Sequence, residues 1–216
     1  MGSGINTFSQ LNNVSRETLN MLLNYEKKII EFNKKMNLIS SSTEKNIWVR
    51  HFCDSAKIFK EIQGLHSIEN DKLSICDVGT GAGLPGIVLA IMAKGAGCGF
   101  NFTLIDSNKK KCLFVEKIIQ LFGLNCKIVN NRVENLSMKY DVIISRAYAS
   151  LSKLLKTTYH LSSDKSTYIL PRGKSWEKDL NIIKKKWKYE VNIVKNNKRI
   201  DESGGVTLIL EKVCKK

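Results

Sequence analysis

The strongest constraint on this chain is a glycine-rich turn set between a short apolar strand and an apolar helix. It reads Ile75-Cys76-Asp77-Val78-Gly79-Thr80-Gly81-Ala82-Gly83-Leu84-Pro85-Gly86 and runs into Ile87-Val88-Leu89-Ala90-Ile91. Leu73 to Val78 has the length and apolarity of a buried strand, and Pro85 suits the first turn of a helix, where an N–H has no intrahelical partner. Glycines let the backbone turn sharply and approach a ligand with no Cβ in the way. At the C-terminal end of a parallel strand, such a turn is a loop for a nucleotide-type cofactor.

Charge separates the cofactors this loop would take. Gly81-Ala82-Gly83-Leu84-Pro85-Gly86 formally matches the dinucleotide fingerprint, so a nicotinamide enzyme is one reading. Asp77, expected beside the phosphate seat, would repel a pyrophosphate. S-adenosylmethionine has no phosphate and carries a sulfonium and an ammonium, which an acidic residue and Gly79 and Gly81 at the loop suit better. The next strand, Phe102-Thr103-Leu104-Ile105, ends in Asp106-Ser107. An acid at the tip of the second strand takes the ribose hydroxyls of an adenosine, in NAD and S-adenosylmethionine alike. The plainer alternative is that Asp106 or Ser107 caps the helix beginning near Asn108.

With 216 residues the chain can bury one sizeable core and a small appendage. Its apolar stretches are too short to span a bilayer, and its polar first residues show no signal peptide, so a cytoplasmic protein without a membrane partner is expected. Cys53, Cys76, Cys98, Cys112, Cys126 and Cys214 have no Cys-x-x-Cys spacing and read as buried hydrophobes. The three histidines are too dispersed for a metal cluster, and no metal is expected. The net charge of +15 points to a polyanion, with nucleic acid the leading class. Lysine-rich mutational bias is the alternative source of that charge.

Residues 15–63 read as helical, with Ser15 as N-cap and a second helix over about 43–62; Gly64–Lys72 is a polar connector. From Leu73 short apolar strands alternate with helices: strands at 73–78, 102–106, 126–130, 140–145, 166–170, 189–194 and 206–211, helices near 85–94, 109–122, 150–161 and 176–187. Alternation implies an α/β fold, a parallel sheet with helices on both faces. The last two strands, joined by the polar Lys195–Gly205 segment, form an antiparallel pair. Seven strands closing this way is the Rossmann-like sheet of S-adenosylmethionine-dependent methyltransferases. The expected division is an N-terminal helical extension, 1–64, and a methyltransferase domain, 65–216, in one compact unit.

Ligands of such sheets lie outside the carboxyl ends of the strands. After strand three, Glu134 or the backbone of Val133 and Glu134 is placed to read the adenine amine; capping of a short turn is an equal alternative for Glu134. The loop after strand four is Ser145-Arg146-Ala147-Tyr148, with no Asn/Asp-Pro-Pro-aromatic motif for amine methylation, and no cysteine stands in the Pro-Cys context of pyrimidine C5 methylation. A target atom that is already nucleophilic remains, and guanine N7, with its lone pair on the major-groove edge, is one. Such an enzyme needs alignment and electrostatic guidance more than a general base. No catalytic acid or base is therefore assigned. Arg146 is the main positioning candidate, a structural ion pair being its alternative.

At this point the chain resembles a known family. Asp77–Ile91, Leu104-Ile105-Asp106-Ser107-Asn108-Lys109-Lys110-Lys111, Arg132-Val133-Glu134 and Ile144-Ser145-Arg146-Ala147 are similar to the bacterial small-subunit (16S) ribosomal RNA guanine-N7 methyltransferases, the RsmG family, formerly glucose-inhibited division protein B. Phe32–Leu38 and Arg50–Ser55 resemble its two leader motifs, and the likeness covers roughly residues 25 to 211. It implies a class I S-adenosylmethionine-dependent methyltransferase, acting as a monomer on 16S rRNA of the small ribosomal subunit. Carried over by position, cofactor contacts fall at Gly79, Leu84, Val133, Glu134 and Arg146. Where the family shows Lys-Gly after strand five, this chain has Arg172-Gly173, a planar fork instead of a point charge, and Arg172 is a second positioning candidate.

Lysines at 109–111, 184–186 and 188, at 27, 28, 34 and 35, and in Lys195–Arg199 are candidates for a phosphate-tracking rim. Two other readings stand beside the rRNA enzyme: a small-molecule methyltransferase, and a non-catalytic RNA-binding assembly factor.

Overall fold

Ser15 begins the first long helix, its Oγ accepting from Thr18 N at 3.1 Å. The computed structural model, which describes residues 3–65, 72–195 and 205–216, shows that helix, α2, as Arg16–Met36, preceded by a short α1, Ser3–Leu11. Asn37 closes α2 in the left-handed region at φ 47°. The remaining N-terminal stretch is more broken than its periodicity predicts: α3 is one turn, Ser41–Glu44, and a π-helical segment, Trp48–Cys53, leads into α4, Asp54–Leu65. Helix α1 is not anticipated from sequence, because its few apolar residues, Ile5, Phe8 and Leu11, sit in a polar run; Phe8 is nonetheless fully buried against Trp48.

Strands and helices then alternate as β1 (Ser74–Val78), α5 (Gly86–Gly95), β2 (Asn101–Asp106), α6 (Lys109–Phe122), β3 (Cys126–Asn130), β4 (Val142–Ile144), α7 (Leu151–Thr158), β5 (Thr167–Arg172), α8 (Trp176–Ile183), β6 (Trp187–Lys195) and β7 (Val206–Lys215). The last helix stops at Ile183, short of 187, because Trp187 is buried as the first residue of β6. Pro85 precedes α5 instead of opening it, in a cis Leu84–Pro85 bond. The connectors at Gly64–Lys72 and Lys195–Gly205, with His66 and the cluster's residues 196–199, lie largely outside the described residues.

The seven strands form one sheet in the order β3-β2-β1-β4-β5-β7-β6. β3, β2, β1, β4 and β5 run parallel, while β7 runs antiparallel to both β5 and β6. This is the α/β class and the closing antiparallel pair that the sequence predicts. The chain leaves β1 toward β2 and β3, then returns to β4 on the other side, so the carboxyl ends of β1 and β4 flank the switch point where crevices open.

Period-two alternation divides the core. Ile75, Phe102, Leu104 and Ile144 face one cluster, which holds α5, α6 and the N-terminal helices. Cys76, Val78, Ile105 and Ile143 face the other, with α7, Ile183 and Trp187. Helix α5 is buried from Gly86 through Ala93. A helix apolar all round needs cover on every side, and α2 and α4 provide it on the side away from the sheet. The N-terminal helices thus share one hydrophobic cluster with the sheet.

The close seating of α5 depends on Gly86. A Cβ there would lie 1.8 Å from Leu104 Cδ2 and 2.8 Å from Asp77 Oδ2. Gly86→Ala is expected to cost about 1–3 kcal/mol of stability through overpacking, read as a lower urea midpoint; an unchanged midpoint would show that α5 can lift from β2 freely.

Candidate functional site

The glycine loop is held from below by Asp77. This residue is 1 % exposed, and its Oδ2 accepts from Thr80 Oγ1 at 2.6 Å and from Gly86 N at 2.9 Å. Burial pushes its pKa up to about 6, opposed by those two hydrogen bonds. Asp77 therefore does not face a ligand across the loop, as the sequence suggests; it points with Ile75 toward α5 and lines neither crevice described below. It still argues against a dinucleotide, by another route. A pyrophosphate is held by free N–H groups at a helix N-terminus. Here Pro85 has none, Gly86 gives its own to Asp77, and Ile87 donates to Gly83 O at 2.7 Å.

Tyr25 of α2 braces the loop from the other side, its hydroxyl donating to Ala82 O at 2.7 Å in a fully buried setting. Leu84 turns into the same core, 6 % exposed, so it shapes the loop's underside and does not line the crevice.

Above the loop lies a cleft of about 250 Å³, bordered by Gly79 and Gly81, by Asp106 and Lys111, by Val133 and Glu134, and by Tyr148. Asp106 at the tip of β2 is oriented by two backbone donors: Oδ2 accepts from Gly81 N and Oδ1 from Asn108 N, each at 2.8 Å. Each carboxylate oxygen can accept a further bond, so the pair can receive two vicinal hydroxyls. The cap of α6 is Asn108, whose Oδ1 accepts from Lys111 N at 3.2 Å. Gly81 adopts φ +60°, and a Cβ on it would meet nothing within 4 Å. Its backbone therefore borders open space with no side chain in the way. Val133 and Glu134 form a 3-10 turn directly after β3, with Val133 buried and Glu134 exposed at the cleft. These features fit an adenosine cofactor without phosphates. Tyr148 covers Gly79 so closely that a Cβ there would be 2.6 Å from its ring.

Arg146 leaves this cleft. Its Nη1 donates to Arg50 O at 3.1 Å and its Nη2 to His51 Nδ1. Burial lowers the guanidinium's pKa, countered by the charges of Asp54 and Asp77. The carboxylate ion pair considered from sequence is replaced by a carbonyl and a neutral imidazole. Burial, then the Arg146 and Arg50 charges, drive His51 down to about 3, so Nδ1 is free to accept.

Arg146 instead lines a second cavity of about 500 Å³, together with Arg50, Asp54 and Lys57 from the N-terminal helices and Arg172 and Asp179 from the other flank. Ala147, in the left-handed region at φ 57°, is the residue common to both crevices. Arg50, Asp54 and Lys57 were legible as a stripe at i, i+4 and i+7 of a helix, but nothing local in the sequence says what that stripe faces. Tyr148 carries no sequence signal beyond being aromatic, and Tyr25 is legible only as one of the apolar residues recurring at helical spacing in α2.

A family model described as rRNA small subunit methyltransferase G matches residues 18–204. The chain is 36% identical over 204 residues to a Bartonella henselae protein named ribosomal RNA small subunit methyltransferase G, covering 93% of this chain and 89% of that one. A protein of the same name from Orientia tsutsugamushi (strain Ikeda) is 36% identical over 78% of this chain and 79% of its own. Among solved structures, magnesium protoporphyrin IX methyltransferase from Synechocystis with bound S-adenosylmethionine superposes with a TM-score of 0.58 at 14% identity, covering 87% of this chain and 97% of that one. A Methanococcus maripaludis protein described as a putative S-adenosylmethionine-dependent methyltransferase gives 0.54 at 17% identity, covering 88% and 93%. At such identities these likenesses establish the fold alone.

The raised pKa of Asp77 has a measurable consequence. Its folded value of about 6 exceeds the ordinary 3.8, so the native state holds the proton more tightly than the unfolded chain. The stability this lends is full below pH 4 and is lost as pH rises through 6, by up to about 3 kcal/mol. The difference in unfolding free energy between wild type and Asp77→Asn is expected to decline across that window; a flat difference would mean an ordinary carboxylate.

Proposed function

The chain belongs to the rRNA small subunit methyltransferase G family, and we propose that it transfers a methyl group from S-adenosylmethionine to N7 of a guanine in 16S RNA of the small ribosomal subunit. The observation that carries this reading is the pair of crevices meeting at Ala147: one suited to adenosine, the other lined by four cations, Arg50, Lys57, Arg146 and Arg172, against the two carboxylates Asp54 and Asp179.

Bound S-adenosylmethionine supplies a methyl group on a positively charged sulfur, ready for attack. The residues of the chain bind and orient. Asp106 takes the ribose hydroxyls, Val133 and Glu134 border the adenine position, and the backbone at Gly79 and Gly81 admits the cofactor without side-chain interference. Arg146, locked on Arg50 O and His51, stiffens the wall between the crevices and acts through position. Guanine N7 needs no proton removed before attack, so no general base is assigned, and alignment with a favourable field suffices. The cations of the second cavity favour an entering polyanion; Lys111 at the first crevice and the exposed Lys109 and Lys110 extend that charge outward.

We further read the enzyme as a cytoplasmic monomer without a membrane partner; no described helix is long and apolar enough to cross a membrane.

The test is methyl transfer from labelled S-adenosylmethionine to small subunits from cells lacking the modification, followed by nucleoside analysis. Label in 7-methylguanosine is expected. Label in another nucleoside, or none, would overturn the assignment of N7. For the cofactor site, Asp106→Asn is expected to raise the dissociation constant of S-adenosylmethionine about 10–100-fold, the loss of charge-assisted hydrogen bonds. Unchanged affinity by calorimetry would remove Asp106 from the ribose.

A further inference from the structure

Arg172 ends β5, and its guanidinium is only partly satisfied. Nη1 donates to Ala149 O at 3.0 Å, which fixes the plane of the group. Nε and Nη2 are buried and have no hydrogen-bond partner among the described residues. These two nitrogens share one edge of the guanidinium and present two parallel N–H donors. Buried donors in native structures are almost always paired, so an entire unpaired edge on a residue that lines the cavity marks a place where a ligand completes the structure. Asp179, lining the same cavity, supports the positive charge against the pull of burial.

Three ligand groups match such a fork: a carboxylate, a phosphate, and the O6/N7 edge of guanine. The target guanine is excluded by the reaction itself, because an N7 that accepts from Arg172 has no lone pair left for the methyl group. Arg172 does not line the crevice suited to adenosine, which favours phosphate over the cofactor's carboxylate. We propose that the Nε–Nη2 edge of Arg172 grips a backbone phosphate of the RNA beside the target guanine, making Arg172 the positioning residue that seats the nucleotide in the second cavity. Arg50, on the same cavity, adds positive charge, while Lys57 there is paired with Asp54 at 3.0 Å. This assignment rests on the rRNA methyltransferase reading above and goes beyond it by naming the group held and the edge that holds it. It also explains why arginine differs from lysine here: a planar fork with one nitrogen anchored offers two fixed donors, whereas an ammonium offers a rotating point charge.

The experiment compares wild type, Arg172→Met and Arg172→Lys for binding to unmodified small subunits across a salt series, for S-adenosylmethionine affinity, and for methyl transfer. Arg172→Met is expected to bind small subunits at least about tenfold more weakly, with the log–log salt slope shallower by about 0.7–0.9, one phosphate contact. Arg172→Lys is expected to keep the slope and lose several-fold in kcat/KM, since the charge stays and the fork goes. Cofactor affinity is expected to be unchanged in both, which also reports that both fold. An unchanged salt slope in Arg172→Met overturns the proposal. So does full activity in Arg172→Lys, which would reduce the fork to a charge, or a parallel loss of cofactor affinity, which would place the cofactor's carboxylate on Arg172. Wild type that leaves no label in 7-methylguanosine fails the reading of the reaction instead; wild type that labels it while Arg172→Met keeps its slope fails the fork alone.

Discussion

Everything at the working end of this molecule hangs on the Asp77 carboxylate. One oxygen ties Thr80 and Gly86 together, so the end of β1, the glycine loop and the start of α5 are a single rigid piece. The tie is costly, since a carboxylate is withdrawn from water, and the raised pKa is the sign of that cost. What it secures is a loop with its peptide groups oriented: Gly81 N points at Asp106, while Gly79 N and Thr80 N are both spent on Ile105 O. The cleft is therefore shaped before any ligand arrives, which lowers the ordering cost of binding.

The N-terminal helices complete that arrangement. Tyr25 reaches from α2 to the loop, α4 packs across α5, and the segment from Trp48 to Leu65 carries Arg50, Asp54 and Lys57 to the second cavity. A sheet with α5 bare would expose a helix apolar on every side, and it would lack one wall of the crevice where RNA is proposed to enter. Cover for the core and construction of the site are thus the same act of packing.

The partition between the crevices is the short loop after β4. Ser145 is pinned by donating to Val78 O at 2.9 Å, Arg146 goes one way to His51, and Tyr148 goes the other over Gly79. Ala147, between them, takes a left-handed conformation that costs an alanine roughly 1–2 kcal/mol.

Some of this is written locally in the sequence. A strand of five residues, a run of glycines and an apolar helix identify themselves through period and composition, and Asp106 is legible because it stands at the tip of the next strand. The sheet class, the antiparallel closing pair and the acid at the tip of β2 follow from such short-range signals. Other parts are decided only by packing. Whether Asp77 faces a ligand or a helix depends on where Gly86 lies, and a one-residue change of strand face reverses the answer. Leu84 and Arg146 carry family positions but point away from the cleft, drawn into the core and toward His51 by partners far along the chain. The second cavity gathers Arg50 from the N-terminal helices with Arg146 and Arg172 from the ends of β4 and β5, through contacts that no local period encodes. By itself the sequence determined the elements of the sheet region, their order and the cofactor class, because backbone propensity and alternation act over a few residues; the breaks in the N-terminal helices and the direction of each functional side chain were left to the tertiary structure, because burial and charge are properties of the whole fold.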